Sequence, residues 1–390
     1  MANQEQEEDM MNNTTVGGLE NAVLSHRASA RPMRELLRHV APEEIPASED
    51  LFAREVLERH LTTLGEPPFS LMAVGDMMLG GRTKHMIATY GADYPFEAVL
   101  PLLRRADIVL GNLEGPFARK ALRERRHYSY AVNPKLATSL ARAGIGVVTL
   151  ANNHLLDCGR AGVRETLDAL SSAGVAAVGG GMNENAAHAP VIRQSGQLRI
   201  GILGYYWNRR CAATADLPGS ARDLPDVLET DIRHLRKQVD RVIVTFHWGS
   251  PYEREPLSAD RAKAQYAVEC GADAVIGHHP HILQPFEIYA GCPILYSIGN
   301  FTFGSGNSRG EGMLVGLRFD ERQTRVTVYP LYVKNRDPRV NYQPKVLKGK
   351  GAERTLRRFA EMSGSYGEYV EIEQGRAILD LPRSSVRQKK

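Results

Sequence analysis

Five apolar, β-prone runs punctuate the chain from Phe69 to His281, and each delivers a metal-capable side chain at or just beyond its carboxyl end. FSLMAVGD ends in Gly75-Asp76, and IVLGNLEG (Ile108 to Gly115) ends in Asn112 and Glu114. VVTLANNH (Val147 to His154) ends in Asn152, Asn153 and His154, VIVTFHWG (Val242 to Gly249) in His247, and AVIGHHPH (Ala274 to His281) in three histidines within four positions. Helical patterns fall between them at Pro134 to Ala143, Gly162 to Ala173, Thr230 to Val239 and Ser258 to Cys270. Strands alternating with helices are the signature of an α/β domain. In open α/β sheets, ligands bind outside the carboxyl ends of the strands.

The last of these runs is the most specific. Gly277 lets the backbone turn as the histidines arrive, and Pro280 fixes its own φ and biases His279 toward an extended conformation. A stiff loop of this kind can aim His279 and His281 into one pocket, and neutral imidazole is the commonest metal ligand. The candidate donors are Asp76, Glu114, Asn153, His154, His247, His279 and His281. Carboxylate, amide oxygen and imidazole together suit Zn, Mn or Fe and are too nitrogen-rich for Ca or Mg alone. A carboxylate able to bridge two metals about 3.5 to 4 Å apart would suit hydrolysis of a phosphate ester, because such a pair activates water and clamps the phosphoryl group.

Around this core, residues 1 to 30 are polar and poor in aromatics, which predicts a disordered tail. Residues 31 to 65 carry two short amphipathic helical patterns separated by Pro42 and Pro46, either packed on the main domain or forming a surface on which a protein partner could dock. A domain over 66 to 345 follows, then 346 to 390 with one helix, Ala352 to Glu361, and a basic tail. The strands expected at Arg199 to Tyr206, Pro293 to Ile298, Met313 to Phe319 and Arg325 to Tyr332 complete a second sheet, and Asn300 in SIGNF lines the pocket.

A formal charge of +4 over 390 residues does not by itself argue for nucleic acid or a membrane surface and fits an anionic small molecule or peptide equally well, so no nucleic-acid partner is expected. The polar, acidic start does not resemble an export signal, and no run reaches the roughly 18 apolar residues of a spanning helix, so a cytoplasmic protein without a membrane span is expected. The four cysteines, far apart and without a CxxC pair, predict reduced thiols.

The ordered motifs GD, NLEG, ANNH, HWG, GHHPH and SIGNF, from Phe69 to Phe303, resemble the CapA family of poly-gamma-glutamate (capsule) biosynthesis proteins, a branch of the calcineurin-like metallophosphoesterases. The resemblance implies a four-layer α/β/β/α sandwich of the metallo-dependent phosphatase type, with one or two divalent metals at the strand ends. It would place Asp76, Glu114 and His281 around one metal, with Glu114 bridging to a second held by Asn153, His247 and His279. His154 would be the general acid, with Asp157 as its partner. Two departures stand out: Met78 occupies the third position of the superfamily's Asp-x-His motif and is a poor ligand for such metals, and Glu114 replaces an aspartate.

Arg119 and Arg126 in the basic run Ala118 to Tyr130, together with Asn300 and His278, are the candidates for holding an anionic substrate. Trp207, Arg209, Arg210, Tyr252 and Arg254 fall where substrate-contacting loops are expected. Three functions are compatible with this pattern. The first is a metal-dependent hydrolase of a phosphate ester or a polyglutamate-like anion. The second is a metal-dependent peptide or amino-acid epimerase in which Asp76 or a histidine moves an α-proton. The third is a non-catalytic accessory subunit of polyglutamate or peptide synthesis.

Overall fold

The first apolar run forms the strand Leu71–Met78, buried at every position, and the elements around it explain why a run without polar alternation is stable there. In the computed structural model, residues 68–119, 130–306 and 308–382 are described. The expected N-terminal tail and helical extension, Arg126 with most of the basic run, and the final basic residues lie outside them.

Leu71–Met78 is central in a 10-stranded mixed sheet. On one side Val109–Leu113, Val147–Thr149 and Ala176–Val178 follow in parallel. On the other side its first half pairs antiparallel with Glu311–Phe319, while from Asp76 onward it pairs with Asn300–Phe303. The change of partner falls at Gly75, where a Cβ would lie 2.0 Å from the Gly299 carbonyl oxygen, so the close approach of the two backbones requires glycine. A second, 6-stranded sheet is built on Leu198–Tyr206, Arg241–His247, Ala274–His278 and Cys292–Leu295, all parallel, with antiparallel strands at both edges.

Alternate side chains of these strands enter different cores. Leu71, Ala73 and Leu110 meet Ile202, Ile243 and Ile276 in the layer between the sheets. Met72, Val74 and Val109 pack outward with Leu140, Val163 and Leu170 of the helices on the larger sheet. Val244, Phe246 and Val275 pack outward with Leu228, Ile232 and Ala264 on the smaller. Both faces of the central strands are therefore covered, which is why they read as continuous apolar runs. Helix, sheet, sheet, helix is the four-layer α/β/β/α sandwich that the resemblance implies.

The helices carry their own local signals. Pro225–Arg236 has proline in its first turn with Asp226, and Arg233, His234 and Arg236 in its last, which complements the helix dipole. It buries Leu228, Ile232 and Leu235, one stripe at helical spacing. Ser258–Cys270 ends at Gly271, whose φ of 126° suits glycine.

Two expectations change. The five metal-capable runs are not edges of one sheet, since three belong to the larger sheet and two to the smaller. The four strands assigned to a second sheet also divide. Leu198–Tyr206 and Cys292–Leu295 join the smaller sheet, but Glu311–Phe319 and Gln323–Tyr332 pair into the larger one. Period-two patterning reports which residues share a face and carries no information on which sheet a strand enters. Past Lys345, the helix Gly349–Met362 inserts Leu356 and Phe359 into the core, and Arg376–Pro382 then pairs with Gln323–Tyr332. The ordered fold thus runs through what reads as a tail. All four cysteines are free and buried, and among the described residues no helix is long and apolar enough to cross a membrane.

Candidate metal centre

Strand register assembles the site in two facing rows. In the larger sheet Asp76 is paired on one side with Asn112 and on the other with Asn300. In the smaller sheet His247 lies between Tyr206 and His278. Two residues past Asn112, Glu114 leaves its strand end, and past His278 the chain turns into the loop carrying His279 and His281.

Donor atoms of Asp76, Glu114 and His247 lie within 4.8 Å of one another, as do those of Glu114, His279 and His281, so Glu114 is common to both groups. Its Oε1 is 3.6 Å from His281 Nε2, 3.7 Å from His247 Nε2 and 3.9 Å from His154 Nε2. Asp76 Oδ2 is 3.0 Å from His281 Nδ1. Asp76, Glu114 and His247 are buried. Glu114 Oε1 and His279 Nδ1 are buried without a hydrogen-bond partner among the described residues. Unpartnered buried polar atoms are costly, and donors converging on one point is what a cation would satisfy. Two carboxylates with three imidazoles fit a transition-metal divalent ion. The His279 ring lies 4.5 Å from that of His247 and 6.0 Å from that of His281.

Asn112 is the hub beneath these donors, a role that nothing in its local sequence singles out. Its Nδ2 is 2.8 Å from Asp76 Oδ1, 3.3 Å from Glu114 Oε2 and 3.3 Å from His247 Nδ1, three acceptors for two hydrogens. Asn152 Nδ2 donates to Asn112 Oδ1 and to the Leu113 carbonyl, while its Oδ1 accepts from His154 N. Asn153 instead faces His247, with Oδ1 2.8 Å from Nε2. The run NNH thus divides its labour: one amide braces the hub and the next faces the donors.

His154 Nδ1 is 2.7 Å from Asp157 Oδ2, which turns Nε2 toward Glu114. The same Asp157 oxygen accepts from Tyr130 N, and the Tyr130 ring lies 4.7 Å from that of His154.

Burial and neighbours set the protonation. Burial pushes the Glu114 carboxyl well above its ordinary range. Burial would also raise Asp76, but the adjacent His278 and His281 rings outweigh it and hold that carboxyl well below. His279 is pushed down to about 4 by burial and by His281. Burial opposes the charged form of His281 as well, yet Glu114 and Asp76 together lift it to about 9. His247 is driven well below its usual value by burial and His279.

The backbone is strained where the loop delivers its two candidate donors. His279 has φ 99° and His281 φ 58°, in a region that side chains other than glycine rarely occupy. Proline bias toward an extended His279 is thus overridden by the fold.

The remaining candidates scatter. Asn300 Oδ1 is 2.9 Å from His281 Nδ1. His278 is buried, with Nδ1 3.2 Å from Asp76 Oδ1 but not aligned to hydrogen-bond, and it is in neither donor group. Arg119 is exposed, and the contact described for it is its backbone N–H on Glu165. The Met78 sulfur accepts from Gly80 N at 3.1 Å, which occupies it within the strand-end turn. Of the loop residues, Tyr252 stands near the donors, its ring 6.2 Å from His281, whereas Trp207, Arg209 and Arg210 are exposed.

Comparison with known proteins matches residues 70–305 to the family described as "Bacterial capsule synthesis protein PGA_cap". The chain is 33% identical over 285 residues to the capsule biosynthesis protein CapA of Bacillus anthracis, covering 69% of each. It is 32% identical over 228 residues to a probable polyglutamine synthesis accessory protein of Mycobacterium tuberculosis, covering 53% of this chain and 59% of that protein. A 5'-nucleotidase precursor from Thermus thermophilus superposes with a TM-score of 0.35 at 14% identity, over 68% of this chain and 51% of that one.

Proposed function

This chain belongs to the bacterial capsule synthesis protein family PGA_cap, and on that premise we propose that it is a metal-dependent hydrolase acting on an anionic substrate, a phosphate ester or a polyglutamate-like chain. The observation that carries this reading is Glu114, a fully buried carboxylate with an unpartnered oxygen shared by two donor groups. One or two divalent ions held by Asp76, Glu114, Asn153, His247, His279 and His281 would supply Lewis acidity at the bond to be broken.

The chain's own residues do the rest. Asn112 and Asn152 fix the carboxylates so that they need not reorganise. Asp157 holds the His154 ring by Nδ1, leaving Nε2 as the nitrogen that passes a proton to the leaving oxygen. Tyr130 packs against that ring and helps fix its position.

The test is metal content by elemental analysis of the full chain purified without chelator, set beside turnover of 4-nitrophenyl phosphate. One or two equivalents of metal, lost in Glu114→Ala and His279→Ala together with turnover, support the proposal. Metal retained in both variants, or no metal after loading with Mn or Zn, overturns it. A second reading, a non-catalytic accessory subunit, is favoured by the likeness to the probable polyglutamine synthesis accessory protein of Mycobacterium tuberculosis. Stoichiometric metal with no turnover of phosphate esters or of glutamate oligomers would select it.

A further inference from the structure

Above the donors, on the His281 side, two residues from separate loops meet. Tyr252 follows the strand Arg241–His247, and Arg309 lies in the turn between the strands Asn300–Phe303 and Glu311–Phe319. The Arg309 guanidinium sits 4.8 Å from the centroid of the Tyr252 ring, and that ring is 6.2 Å from the ring of His281. Phe303 packs on His281 at 4.7 Å, so His281 has an aromatic neighbour from each loop.

Both loops are held against the site. Tyr252 N donates to the Pro280 carbonyl, between the two loop histidines, at 2.8 Å. Asn335 Nδ2 donates to the carbonyls of Phe303 and Ser305 and its backbone N–H to Ser308, fixing the turn that leads to Arg309. Yet the two side chains at the tip are not structural filler. Arg309 is exposed and takes part in none of the ion pairs found among the described residues, and Tyr252 is 41% exposed. Tyr252 also has φ 67°, where glycine would be relaxed and tyrosine is strained. A strained, half-exposed tyrosine beside buried donors indicates that the ring itself is required there.

We propose that Arg309, set over the Tyr252 ring, forms with it the residue pair that binds an oxyanion of the substrate away from the reacting bond. A guanidinium held over an aromatic ring by cation–π attraction keeps N–H groups available for bidentate bonds to a carboxylate, and that contact restricts the side chain before the substrate arrives. The pair determines specificity and positions the substrate, and it touches no group in which bonds change. This rests on the functional reading above, because the reacting end is assumed to sit at the donors.

The experiment uses the full chain loaded with Mn and two probes, inorganic phosphate and a γ-linked glutamate tetramer, with binding measured by titration calorimetry. Phosphate is small enough to occupy the donors alone, whereas the tetramer extends past them. Arg309→Gln is expected to weaken the tetramer about tenfold and phosphate by less than about twofold, and Arg309→Lys to recover part of the loss. Tyr252→Gly, which relaxes the backbone, is expected to weaken the tetramer similarly while the melting temperature stays level or rises. Equal losses for both probes, an unchanged tetramer affinity, or a parent that does not bind the tetramer would each overturn the assignment. Metal content, measured on the same samples, reports separately on the hydrolase reading.

Discussion

Asn112 Nδ2 donates to Asp76 Oδ1 at 2.8 Å, joining two parallel central strands through their side chains at the row where the metal-capable residues begin. The same amide reaches Glu114 and His247, so one neutral residue orients donors from both sheets.

Asn112→Ala is therefore expected to lower metal affinity about 10- to 100-fold, the usual consequence of removing a group that orients ligands. Titration with Mn or Zn in a competing chelator measures it. Asn112→Asp should be no better than alanine, because it adds negative charge beside two buried carboxylates and removes the donor.

Protonation gives stability and metal affinity opposite slopes with pH. His281, lifted to about 9, contributes stability that is fully present below its unfolded value of about 6.5 and is lost as pH rises through about 9. Glu114, raised by burial, adds to the loss wherever it ionises above its unfolded value. Chelator-treated protein should thus melt at lower temperature as pH goes from about 6.5 to about 9. Metal binding needs both groups deprotonated, so affinity should rise over the same window, with protons released. Calorimetric melting with and without Mn at about pH 6.5 and 9 compares the two slopes.

Asp157→Asn leaves the size of the side chain and changes which atom faces His154 Nδ1. If His154 delivers a proton, kcat on a phosphate ester should fall about 10- to 100-fold and His154→Ala by about 100- to 10,000-fold. Metal content should stay at the parent level in both, which separates proton delivery from ligation.

The strained His279 offers a test of cost against use. His279→Gly removes a donor and relaxes φ 99°, whereas His279→Ala removes the donor and keeps the strain. In chelator, the glycine variant is expected to be more stable than the alanine variant by about 1 to 2 kcal/mol. Denaturant melts of the two variants measure it directly.

Much of the fold and of the donor set is legible in the residues alone. Apolar runs such as AVIGH mark strands covered on both faces, and the polar residues at their ends mark the edge where the donors cluster. What is not legible depends on register. Asn112 reads as one more strand-end polar residue, and only its pairing opposite Asp76 makes it a hub. Arg309 reads as an ordinary loop arginine, and only the turn's placement against Tyr252 brings it to the rim. Likewise the larger sheet's antiparallel half cannot be assigned from sequence, because strand Glu311–Phe319 looks the same locally whichever sheet it enters.

Asp76 and Glu114 come from one sheet and His247, His279 and His281 from the other, with a layer of aliphatic side chains setting the gap between them. The donor cluster is in effect a caliper closed on that layer. Trimming Ile202 or Leu110, both part of that layer, would change the sheet separation and hence the jaw opening. Donor spacing here is inherited from hydrocarbon packing, and if the cluster holds a metal as proposed, its preference for one ion over another would depend on residues distant from the ion.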